Sequence, residues 1–109
     1  MSEKITIKLN KSILDGDKDV TEITLRPITT KDIIECGYPV STISNPDEPN
    51  SYESRVNHTS VVKYIVRLAQ IARPSVLSMD PADYGAATAA VNDLFMKATA
   101  PAQKNALSN

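Results

Sequence analysis

Residues 59–72, TSVVKYIVRLAQIA, carry more apolar surface than a helix resting on a small domain needs. At ~100° per residue, Val61, Ile65, Leu68 and Ala72 fall on one line of that helix. Val62, Val66 and Ala69 widen the line on one side, Tyr64 and Ile71 on the other, and only Lys63, Arg67 and Gln70 keep a polar strip. The apolar arc is roughly 220° wide, where a stripe of ~100° suffices for a surface helix. Such a helix is either central in its own fold or covered in part by another protein. The second edge, Val62, Val66 and Ala69, is the candidate contact face, and Met96, which lies off the apolar stripe of a later helix, is a further candidate. The plainer alternative is that the edge packs against that later helix or against a sheet, and self-association would draw on the same surplus.

With 109 residues the chain has room for one domain with a modest core. Tryptophan is absent and aromatics make up 5%, so Ile, Val, Leu and Ala must fill the interior. A net charge of −1 exerts no long-range pull on nucleic acid or anionic lipid. Cys36 is the sole cysteine, which excludes an internal disulfide and fits a reducing compartment. No apolar run approaches the ~20 residues of a membrane span. The opening MSEKITIKLN alternates and lacks the apolar block of a signal peptide. The expectation is a soluble, cytoplasmic protein.

Residues 4–10 alternate, with Ile5, Ile7 and Leu9 on one face, as in a half-buried strand. Residues 21–26, TEITLR, form a second strand, Gly16 supplies the turn, and Pro27 ends the ladder. A short helix begins at a Thr29 or Thr30 cap, points Ile33 and Ile34 at the hairpin, and stops at Gly37 and Pro39. Residues 41–57 are rich in Ser, Asn and Pro and read as an exposed loop. The wide-arc helix follows and ends before Pro74, and 75–79 form at most one turn. Asp80 and Pro81 then cap and open a third helix that runs to about residue 98, with Asp83 adding charge to its first turn. Residues 99–109 read as a flexible tail. The expected architecture is therefore α+β: an N-terminal β-hairpin followed by three α-helices, in a single small domain over 1–98.

Material for catalysis is scarce. Cys36 and His58 are conceivable as a nucleophile and base, but no oxyanion or substrate-binding signal accompanies them. Two such ligands are too few for structural zinc. Asp15, Asp17 and Asp19 alternate as in a calcium loop, but the sixth position lacks glycine and the twelfth is Arg26. No cofactor, no metal and no enzyme activity is expected. Lys4, Lys8, Lys11 and Lys18 would line the outer face of the hairpin, and a small nucleic-acid-binding regulator using them is one alternative function. No aromatic interleaves with them, and exposed strand lysines more often serve solubility and blunt an edge.

The stretch VTEITLRPITTKDII, residues 20–34, resembles a segment of the phage tail assembly chaperone family of Mu-like and related contractile-tailed phages. Ile23, Leu25 and Arg26 match the strand that closes on Leu-x-Leu-Arg, and Asp32 with Ile33 matches the acidic–aliphatic pair that follows. Pro27 comes directly after Arg26, where the pattern has one intervening residue. Further on, Leu68, Ala69 and Ile71 ahead of Pro74, then MDPADY at 79–84, then Leu94-Phe95-Met96, follow the family order. The likeness runs from about residue 3 to residue 97 and is weakest over 41–54. It implies a non-enzymatic role: binding the tape measure protein, aiding recruitment of tail tube protein in the host bacterial cytoplasm, and absence from the mature virion. A homo-oligomer is compatible with it, and neither nucleic acid nor membrane is an expected partner. Another phage structural or scaffolding protein is the closest rival.

Overall fold

Two hairpins stand where the sequence predicts one, the first patterned by alternation and the second set by its turn. The computed structural model describes residues 4–100. Its elements run β1 (Ile5–Asp15), β2 (Lys18–Leu25), α1 (Thr30–Cys36), β3 (Val40–Asn45), β4 (Glu48–Val56), α2 (His58–Ala69), α3 (Arg73–Leu77) and α4 (Pro81–Thr99). The class is α+β, as expected, but with two antiparallel hairpin sheets and four helices among the described residues. The tail expected over 99–109 lies, from residue 101 onward, outside the described residues.

β1 and β2 pair from Ile5↔Leu25 to Asp15↔Lys18. Gly16, at φ 66, takes the first position of the two-residue turn, where a positive φ matches the twist of the strands. The strands thus reach the turn directly, β1 running on past residue 10 and β2 beginning before residue 21, where the sequence shows no alternation. Between Lys8 and Ile13 the register slips. That bulge leaves backbone donors without cross-strand partners, and α4 supplies the acceptor: the Asn10 and Lys11 amides donate to the Asp83 carboxylate at 2.8 and 3.1 Å. Asp83 is 3% exposed, so its role exceeds the helix-dipole charge read from the sequence. Asp83→Ala is expected to cost about 1–3 kcal/mol, the usual penalty for orphaning bonded polar groups. Urea unfolding checks this, with Asp83→Asn intermediate; a loss below about 0.5 kcal/mol for the alanine variant would show the bulge is held by other means.

Thr29 and Asp32 form a capping box at the start of α1: Asp32 N–H donates to Thr29 Oγ1, and Thr29 N–H donates to Asp32 Oδ2 at 2.8 Å. Gly37 ends the helix at φ 85, a backbone region an L side chain rarely adopts. α1 packs chiefly on α2 rather than on the hairpin, with Ile33 half-buried against the core. Ile34 is 75% exposed, because a helix of seven residues buries a single narrow face.

The expected loop at 41–57 is overturned by β3 and β4, which pair from Val40↔Val56 to Asn45↔Glu48 around a turn at Pro46 and Asp47. Proline at the first central position presets the turn. The hairpin was hidden because its strands lie largely in solvent, so no buried face imposes hydrophobic alternation. It joins the body at its base, where Asn57 N–H donates to the Pro39 carbonyl and Asn57 Nδ2 donates to Tyr38 O and Ser41 Oγ at 2.7 and 2.8 Å.

α2 is the centre of the fold. Val61, Tyr64, Ile65 and Leu68 are at most 2% exposed and meet Leu25 of β2, Val76 of α3 and Val91 of α4 in one core. The first of the two readings of the wide arc is therefore realised over most of its width. Gln70 leaves the helix in the left-handed region at φ 58, turning the chain into α3. Asp15 holds α3 to the tip of the first hairpin: Ala72 N–H donates to its Oδ1 at 2.9 Å, and Ser75 Oγ lies 2.9 Å from the same oxygen and 2.8 Å from the Leu14 carbonyl. These hydrogen bonds hold the Asp15 carboxyl below its ordinary range.

Candidate functional site

The geometry of the exposed part of α2 is set by one buried carboxylate. Asp32, 0% exposed, receives a bidentate contact from Arg26, with Nη1 at 2.7 Å and Nη2 at 2.9 Å. Arg67 of α2 donates from Nε at 2.9 Å, and the Thr29 hydroxyl from 3.0 Å. The end of β2, the start of α1 and the middle of α2 thus converge on two oxygens. The Arg26 guanidinium, then the Thr29 amide and Arg67, hold the Asp32 carboxyl far below the usual carboxylate range, against the opposing effect of burial. Arg26 and Asp32, read from the sequence as family landmarks, are joined in this contact, and Arg67 was missed as a partner. On the helical wheel Arg67 belongs to a solvated strip, and nothing local signals a bond to a residue 35 positions away.

With α1 on one side of α2 and α3 and the start of α4 on the other, a shallow groove runs along α2 past Val62 and Val66. Two depressions make it up. One, of about 330 Å³, is lined by Glu35, Cys36, Val62, Lys63, Val66, Arg67 and Arg73. The other, of about 410 Å³, is lined by His58, Val62, Val76, Leu77, Met79, Pro81 and Tyr84. Val62, 8% exposed, is shared by both and stands as the ridge between them. Leu77, 60% exposed on α3, forms an apolar rim.

Among the sequence candidates, Val62 and Val66 come together in this groove. Ala69 lines a different cleft, of about 430 Å³, with Val20, Glu22 and Arg26 of the first hairpin and its exit. Met96 projects outward from α4, 61% exposed, beside Phe95, whose ring meets Tyr38 at 5.3 Å and Tyr64 at 6.5 Å. The α3 wall was invisible in the sequence, where 75–79 shows too short a run for periodicity to register.

Cys36 and His58 fall in separate depressions. His58 Nδ1 is 2.7 Å from the Tyr84 hydroxyl, and burial pushes the Cys36 thiol up, opposite to what a nucleophilic thiolate needs. No group of His, Cys, Asp and Glu among the described residues could hold a metal ion. The hairpin lysines are exposed, but acidic residues interrupt them: Lys8 pairs with Glu22 and Lys18 with Asp15. No described helix is long and apolar enough to cross a membrane.

The family model described as phage tail assembly chaperone proteins, E, or 41 or 14, matches residues 6–96. No curated protein and no solved structure matches the chain.

Proposed function

The chain belongs to the phage tail assembly chaperone family, and from that premise we propose that it binds the tape measure protein along the α2 groove. It covers apolar helical surface of that client in the host cytoplasm, aids recruitment of tail tube subunits, and leaves before the virion is complete. No bond is made or broken in this role. The observation that carries it is the groove itself: two adjoining apolar depressions on α2 that share Val62, one holding Val66 and walled by α1 and Arg73, the other walled by α3 and the start of α4, a form in which helices are commonly received.

Co-expression with the tape measure protein of the same genome tests the proposal. A client insoluble alone and recovered soluble with this chain is the expected result. Val66→Glu is the informative variant, because Val66 is half-buried and a charge there blocks the groove without entering the core. Recovered client is expected to fall at least about tenfold, while circular dichroism and thermal melting show the variant folded. Undiminished capture by folded Val66→Glu would remove the groove from the interaction, and a client that stays insoluble with the wild type would sink the role.

A further inference from the structure

The groove is not electrically uniform. Lys63, Arg67 and Arg73 line the first depression together with one carboxylate, Glu35. Lys63 and Arg73 are exposed and engage in no ion pair among the described residues, while Arg67 turns its Nε to Asp32. Asp32 is itself met by two guanidinium groups, so the cluster of Arg26, Asp32 and Arg67 keeps a net positive charge. The second depression has no lysine or arginine in its lining. One end of the groove is therefore cationic and the other essentially apolar.

Spacing adds a second constraint. Both depressions lie against α2 and share Val62, the first lined by α2 residues within 62–67 and the second by residues 58 and 62. A partner helix that reaches into both needs apolar side chains on one face about a turn apart, the ~6 Å rise between positions i and i+4. The Val62 ridge would fit between two such anchors.

Resting on the proposed chaperone role, we propose that the groove receives an amphipathic helix with two apolar anchors four residues apart and carboxylates flanking the anchor that enters the Lys63–Arg73 depression. Rim charges of this kind select the partner and its direction along the groove more than they add raw affinity. The client segment is accordingly acidic on one side of its apolar stripe, and a lysine-flanked stripe of equal hydrophobicity is rejected by like charge.

The test uses three fluorescein-labelled peptides of roughly 18 residues, above the ~12–15 below which isolated helices are marginal. All share two leucines four apart on an alanine-rich background and differ by Glu, Gln or Lys at the flanking positions. In fluorescence anisotropy at low salt, the Glu peptide is expected to bind the full chain about tenfold more tightly than the Lys peptide, with Gln between. The Lys63→Glu, Arg73→Glu double variant reverses that order, and raising the salt collapses it. If the reversal variant fails to fold, Lys63→Gln with Arg73→Gln should abolish the preference instead. Equal binding of the Glu and Lys peptides, or binding of neither, overturns the inference. Recovery of the co-expressed client separates the two claims: a soluble complex alongside indifferent peptides leaves the role standing without the charge rule, and acid-selective peptides with no client complex leave the charge rule standing without that client.

Discussion

Asp32→Ala is expected to lower the unfolding free energy by about 3 kcal/mol, toward the lower end of what removing one partner of a buried ion pair costs. The lower end applies because the side chains of Arg26 and Arg67 are 36% and 33% exposed and can be rehydrated once the carboxylate is gone. For a domain of this size that loss lowers the melting midpoint by roughly 12–24 °C. The change also removes one half of the capping box of α1, since the same carboxylate accepts the Thr29 amide, while Thr29 Oγ1 still accepts the amide of residue 32. The pH dependence follows from the direction of the shift. Asp32 is depressed in the folded state relative to ~3.9 in the unfolded chain, so its contribution is fully present above that value and is lost as pH falls through the acid range. The Asp32→Asn variant should therefore flatten the acid limb of the stability profile below about pH 5. Thermal melts from pH 7 to pH 2 read both effects; parallel profiles for wild type and Asp32→Asn would show that the acid limb belongs to other carboxylates.

Tyr64→Ala is the second large effect, expected at about 4 kcal/mol, as for deletion of a buried aromatic ring. Tyr64 is 0% exposed, its ring meets Phe95 edge-on at 6.5 Å, and its hydroxyl donates to the Gly37 carbonyl at the end of α1. Tyr64→Phe keeps the ring and drops only the hydrogen bond, for about 1 kcal/mol. Burial pushes the phenol up to about 12. Because the folded value lies above the ~10 of an unfolded tyrosine, this stability is present below pH ~10 and is lost as pH rises toward 12. Tyr64→Phe should remove that alkaline loss while leaving neutral stability only slightly lower. An alanine variant within 1 kcal/mol of wild type in guanidinium unfolding would contradict the central place given to this side chain.

Local signals carried the first hairpin, α1, α2 and α4. Alternation at Ile5, Ile7 and Leu9, the Thr29 and Asp80 caps, and the glycines at 16 and 37 each state their structure within a few residues. The second hairpin failed that test because alternation is a record of burial, and its strands have little. Asp83 and Arg67 were legible as charges but not as partners, since Asp83 answers a bulge 73 positions earlier and Arg67 a carboxylate 35 positions earlier. Likewise the excess on α2 pointed to Val62 and Val66, while the walls that turn them into a groove depend on how α1 and α3 are tied down.

The seam at Pro39 and Asn57 has a consequence for variation among such proteins. Because Asn57 N–H reaches back to the Pro39 carbonyl at 2.8 Å, the chain leaves the body and returns to it at nearly one point. Whatever lies between is a side branch, and doubling its length costs only about 0.6 kcal/mol of loop-closure entropy. Residues 42–55 can thus be lengthened, trimmed or exchanged without disturbing Asp32 or Val62, which makes them the permissive stretch of an otherwise closely tied domain, while Val40, Ser41 and Val56 stay with the body.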